Sequence, residues 1–104
     1  MMIKYTLYIG YNDKITKTQL LSDDVIDTII TGACVDAGLD GFTLSHGRGY
    51  YKHDDGGLVF EKTCILDVLF VDDKTIRGLA QVLKQKLNQE SIAIQKTKID
   101  GFLV

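Results

Sequence analysis

Proline is absent, cysteine and histidine occur twice each, and no run of about 18 apolar residues is present. Each shortage excludes something. Without a long apolar run there is no membrane-spanning helix. The start, MMIKYTLYIGYNDK, alternates like a strand and lacks the apolar block and small-residue cleavage site of a signal peptide. Cys34 and Cys64 each fall in an apolar pattern and read as small core hydrophobes. A cytoplasmic location is therefore the default expectation. A net charge of −2 supplies no basic field for nucleic acid and no strongly acidic one. The lack of proline is compatible with long uninterrupted strands. What remains, at 104 residues, is one expected domain with enough chain to bury a core without disulfide staples.

The stretch from Gly41 to Val71 organises that domain. It reads as a second strand, Phe42 to Lys52, and a third, Leu58 to Val71, around the turn cluster His53-Asp54-Asp55-Gly56-Gly57. With Lys52 opposite Leu58, Tyr50 faces Phe60, His46 faces Cys64, Leu44 faces Leu66 and Phe42 faces Val68. One face of the hairpin is then almost wholly apolar. A slip of one residue would set Leu44 against Asp67, so the alternation enforces the register.

The other elements must cover that face. Ile3 to Tyr11 forms a first strand with Ile3, Tyr5, Leu7, Ile9 and Tyr11 on one side and Lys4, Thr6, Tyr8 and Gly10 on the other. Ser22 caps a first helix whose Ile26, Ile29, Ile30, Ala33 and Ala37 share a face, with Gly38 as its stop. A second helix runs from about Lys74 to Leu87, capped by Asp72 or Asp73, with Ile76, Leu79, Ala80, Leu83 and Leu87 as its stripe and Asn88 as a left-handed cap. Ser91 to Ile99 is a short, polar fourth strand suited to an edge. The apolar tail Gly101 to Val104 is expected to pack. The order β-α-β-β-α-β with one-striped helices predicts an α+β, ferredoxin-like sandwich: a four-stranded antiparallel sheet, order four-one-three-two, with both helices on one face.

Several short segments carry a resemblance. Leu7-Tyr8-Ile9-Gly10, Gly41-Phe42-Thr43-Leu44, Gly49-Tyr50, Glu61-Lys62 with Cys64-Ile65-Leu66, and Gln89-Glu90-Ser91-Ile92 are similar, in order, to a family of small bacterial proteins without an assigned activity. The resemblance implies the ferredoxin-like fold and no function. Leu7 to Asn12 also resembles the first-strand motif of RNA-recognition domains, in which an aromatic stacks on a base. Their second motif requires aromatics on the third strand. There the open side carries Glu61, Thr63, Ile65 and Asp67, and Arg48-Gly49-Tyr50-Tyr51 lies on the wrong strand. RNA binding is disfavoured.

Other constellations are weaker still. His46 points inward beside Cys64, and Cys34 could join them around zinc, but no close-spaced ligand pair supports it. No metal or cofactor is expected. A Cys–His nucleophile lacks any sign of an oxyanion hole. Gly47-Arg48-Gly49 precedes no helix and is not a phosphate loop. Gly47 and Gly49 instead leave a shallow groove bordered by Tyr51, Glu61 and Ile65, or mark a bulge. Asp54-Asp55-Gly56-Gly57 meets a hairpin's backbone demands and lacks calcium-loop spacing. Asn88-Gln89-Glu90-Ser91 reads as cap and turn, with Gln89 or Glu90 as a secondary ligand contact.

Three function classes follow. The first is a non-catalytic interaction module associating through its open sheet face, as a homodimer or with a partner protein, with Val59, Ile65, Leu69 and Val71 as the interface. The second is a small-ligand protein using Tyr8, Arg48, Tyr51 and Glu61, which would bind or sequester a metabolite or nucleotide. Small proteins of that sort also occur on phages and mobile elements as inhibitors of host defence. The third is an enzyme, ranked last because no motif supplies two catalytic roles at a recognisable spacing. The sequence favours the first.

Overall fold

Alternating and helical periodicities resolve into six elements in a computed structural model that describes residues 2–52 and 55–104. They are β1 (Met2–Gly10), α1 (Asp23–Asp36), β2 (Thr43–Lys52), β3 (Leu58–Val68), α2 (Asp73–Lys86) and β4 (Ala93–Ile99). The four strands form one sheet in the order β2-β3-β1-β4, and every neighbouring pair is antiparallel. The hairpin has the expected register, with Lys52 opposite Leu58, Tyr50 opposite Phe60, His46 opposite Cys64 and Leu44 opposite Leu66. His53 and Asp54 of the expected turn lie outside the described residues. This is the ferredoxin-like α+β fold.

Both helices cover the same face. Leu7, Ile9, Cys64, Leu66 and Val68 from the sheet meet Ile26, Ile30, Ala33 and Cys34 of α1 and Ile76, Leu79 and Leu83 of α2 in one core cluster. Burying a side chain of this size contributes about 2 kcal/mol, which holds α1 despite its β-branched residues. Ser22 Oγ accepts from the Val25 N–H at 3.3 Å, and Asp72 Oδ1 accepts from the Thr75 N–H at 2.8 Å, so each helix start is capped. Gly38 and Asn88 follow the two helices with φ of 79° and 48°, the left-handed turn that ends a helix. Among the described residues, no helix is long and apolar enough to cross a membrane.

Three expectations are corrected. The third strand ends at Val68 rather than Val71, because Phe70 takes φ of 57° and breaks the alternation. Val71 therefore packs against the core instead of joining the open face. The fourth strand begins at Ala93, two residues later than its composition suggests. The tail does not pack: Phe102, Leu103 and Val104 are exposed, since both helix stripes are already spent on the sheet.

Candidate functional site

The uncovered face of the sheet is read directly from the pairing. Tyr8 sits between Ile65 and Ala93, Gly10 opposite Thr63, and Glu61 opposite Gly49. At the end where β1 leaves the sheet, this surface sinks into a cleft of about 440 Å³. Tyr8, Tyr51 and Glu61 line it, together with Gly10, Asn12, Lys14, Lys17, Gln89 and Glu90.

Two glycines give the cleft its depth. A Cβ on Gly10 would lie 2.3 Å from the carboxylate carbon of Glu61, and one on Gly49 would lie 2.3 Å from Thr63 Oγ1. Glu61 therefore folds over a strand position that has no side chain. Its Oε2 accepts the Asn12 N–H at 3.1 Å. Burial raises the Glu61 pKa, and the Asn12 hydrogen bond opposes the rise only in part. No described cation lies within ion-pairing distance of this carboxylate.

The aromatic walls are held as well. Tyr8 is 40% exposed, and its hydroxyl donates to Gln95 Oε1 at 3.0 Å, fixing the ring across the sheet. Burial raises the Tyr51 phenol, and the Glu61 and Glu90 carboxylates add to it, while a hydrogen bond with Asn12 works against them. Asn12 is the hinge of the cleft. It is buried, its Nδ2 donates to the Phe60 carbonyl at 3.1 Å, and its own carbonyl accepts from buried Gln89 Nε2.

Of the sequence candidates, the structure brings Tyr8, Tyr51 and Glu61 together and leaves Arg48 out. Arg48 shares the helix-side face with His46 and Tyr50. Its guanidinium lies 4.7 Å from the Phe60 ring centroid and donates to the Tyr50 hydroxyl at 3.0 Å. Alternation from His46 already assigns it there, and grouping it with Tyr51 overlooked that parity. Val59 and Ile65 are half-buried on the open face. Leu69 lies past the end of β3, beside a separate hollow lined by Phe42, Phe70 and Leu103. Val71 is partly buried against the core, so of the four interface candidates Val59, Ile65 and Leu69 remain outside it. Asn12, Lys14 and Lys17 carry no site signal in the sequence, because nothing there shows that the connector after β1 folds back over the sheet.

The cysteine–histidine grouping also changes. His46 is at the rim rather than inward: its Nε2 is 3.0 Å from Asp27 Oδ1, and its ring meets Tyr11 edge-on. Burial pushes the Cys34 thiol up to about 11 and the Cys64 thiol up to about 12, so neither is a thiolate nucleophile at neutral pH. Among the described residues, no group of three or more His, Cys, Asp or Glu side chains could hold a metal ion.

The fold and cleft define a ferredoxin-like α+β protein with a polar, aromatic-walled cleft on its open sheet face. No known protein family matches the sequence, and no curated protein does. Solved structures do share the fold. A phage SAM lyase in complex with S-methyl-5′-thioadenosine matches with a TM-score of 0.72 and 17% identity, over 93% of this chain and 81% of that one. A DUF3240 family protein from Shewanella baltica matches with a TM-score of 0.57 and 13% identity, over 100% and 99% of the two chains. CutA1 from Pyrococcus horikoshii matches with a TM-score of 0.50 and 16% identity, over 99% and 87%. The likeness to a DUF3240 protein agrees with the ferredoxin-like fold that the short sequence segments imply.

Proposed function

We propose that the open-face cleft binds S-adenosylmethionine and that the chain cleaves it as a lyase. The observation that carries this reading is Glu61, a partly buried carboxylate with no described cationic partner, lining the same cleft as Tyr8 and Tyr51. Burying a carboxylate unpaired is unfavourable, and a bound cation offsets that cost. A sulfonium is a weakly hydrated cation suited to a carboxylate flanked by aromatic faces. The cleft volume also suits a nucleoside-sized ligand. The fold likeness to a phage SAM lyase bound to a thioether nucleoside supports this choice among cationic ligands.

The reaction needs no second reactant. An oxygen of the ligand's own carboxylate attacks its γ-carbon and closes a lactone ring. The γ-carbon–sulfur bond breaks, and its electron pair returns to sulfur to leave a neutral thioether. Glu61 holds the cationic sulfur until that charge disappears, and the aromatic walls orient the ligand beside it. Removing the methyl donor in this way would give the mobile-element reading a chemistry: host methylation would starve. The test is release of S-methyl-5′-thioadenosine from S-adenosylmethionine by the purified protein, followed by mass spectrometry. Glu61→Gln should lower the rate at least about 100-fold. Absence of both thioether release and a thermal shift with S-adenosylmethionine would overturn the proposal.

A second reading, association of copies in the cytoplasm, is favoured by half-exposed Val59 and Ile65 and by exposed Leu69. Light scattering checks it. A dimer should split on replacing Ile65 and Leu69 with Lys, and a monomeric wild type ends the idea.

A further inference from the structure

Building on the ligand reading above, we infer that Lys14 and Lys17 form the subsite for the ligand's carboxylate, so that the cleft selects a zwitterion rather than a simple cation. Both lysines line the cleft that holds Glu61 and Glu90, so the two signs of charge are gathered in one cavity. Lys4, Lys62, Lys96 and Arg77 all have carboxylate partners within ion-pairing distance. Neither Lys14 nor Lys17 has one among the described residues. What distinguishes these two ammonium groups is their place at the rim of the cleft that holds Glu61.

The connector that carries them is built rather than slack. Asp13 Oδ1 accepts the N–H groups of Ile15 at 2.8 Å and Thr16 at 3.1 Å. The Asp13 N–H donates to the Thr18 carbonyl at 2.8 Å, and the Lys17 N–H donates to the Asp13 carbonyl at 2.9 Å. This loop is moored to the turn after α2: the Lys14 N–H donates to the Asn88 carbonyl at 3.0 Å, and Asn88 Nδ2 donates to Asp13 Oδ2 at 2.8 Å. Lys17 itself sits at φ of 61°, a left-handed conformation that glycine or asparagine adopts more easily. The ligand proposed above has what fits: a cationic sulfur for Glu61 and, on the same amino-acid arm, a carboxylate for the two ammonium groups.

The test uses two ligands that cannot be cleaved because their sulfur is neutral, S-adenosylhomocysteine and its decarboxylated counterpart, with affinities measured by calorimetry. The wild type should prefer the carboxylate-bearing ligand by roughly tenfold. The double variant Lys14→Ala, Lys17→Ala should lose that preference while binding the decarboxylated ligand as before, and Lys14→Arg, Lys17→Arg should restore most of it. Lys17→Gly is the folding control: relief of the left-handed backbone should keep or raise the melting temperature while affinity for S-adenosylhomocysteine falls. Equal weakening of both ligands, or an unchanged preference, would overturn the subsite and leave the ligand reading standing. If the wild type binds neither these two nor S-adenosylmethionine, the ligand reading itself is lost and the subsite goes with it.

Discussion

Gly10→Ala adds a single methyl group to a strand and should disable the cleft without unfolding the protein. The new Cβ would lie 2.3 Å from the carboxylate carbon and both oxygens of Glu61, where ordinary contact begins at 3.4 Å. The carboxylate must therefore retreat by at least about 1 Å, as the difference between those distances requires. It is the far end of a flexible side chain, so the backbone has no need to move. The retreat breaks the 3.1 Å hydrogen bond from the Asn12 N–H. Water can replace that bond at the cleft mouth, and alanine is no worse than glycine in a strand, so the net change in stability should stay within about 1 kcal/mol. Under the lyase reading the rate is less forgiving, because a reacting group misplaced by about 1 Å can lose a factor of about 100 in rate. The assay pairs urea unfolding with thioether release from S-adenosylmethionine. An unchanged rate would show that the seat of Glu61 is irrelevant. A stability loss above about 2 kcal/mol would show that Gly10 is needed for backbone packing instead.

Glu61 makes the site sensitive to pH in two ways. Its folded-state pKa lies above the ordinary 4.5 because of burial, so the folded chain holds this proton more tightly than the unfolded one. Stability should therefore fall as pH rises from 4.5 through the folded value and then level off, and Glu61→Gln should flatten that part of a pH series of urea midpoints. Ligand affinity moves oppositely, weakening as pH drops through the same range because a neutral carboxyl does not attract a cation; equal affinity on both sides would remove Glu61 as the anchor. Asp73 supplies the contrasting case, since hydrogen bonds from Arg77 and Lys96 hold its pKa well below the usual carboxylate range. Its stabilisation is complete above 3.8 and lost only at lower pH, so Asp73→Asn should blunt acid unfolding there and leave the cleft's activity unchanged. In the core, Leu66→Ala empties a fully buried position between the sheet and the helices and should cost about 2–5 kcal/mol in urea unfolding.

The fold was legible because its signals are local and repeat. Period-two alternation sets the hairpin register from Leu44 to Phe60, and the stripes of Ile26–Ile30 and Ile76–Leu83 leave the helices one face to occupy. The cleft was legible in part, because Tyr8, Tyr51 and Glu61 follow from strand parity once the helix side is known. Gly49 and Gly47 gave a further hint of a groove, and Gln89 and Glu90 of a polar rim. The remainder depends on where a loop goes. Asn12, Lys14 and Lys17 reach the cleft only because Asn88 and Gln89, distant in the chain, fasten the connector over the sheet. No periodicity encodes that fastening. The same holds at the end of β3, where one left-handed residue, Phe70, sends Val71 inward against the pattern before it.

Both thiols lie buried between the sheet and the helices with their protons firmly held. The exterior accordingly offers no thiol to maleimides. A single cysteine introduced at exposed Leu103 would become the one accessible thiol on the native chain. A dye or surface tether could be attached there, away from the cleft and without disturbing the interior.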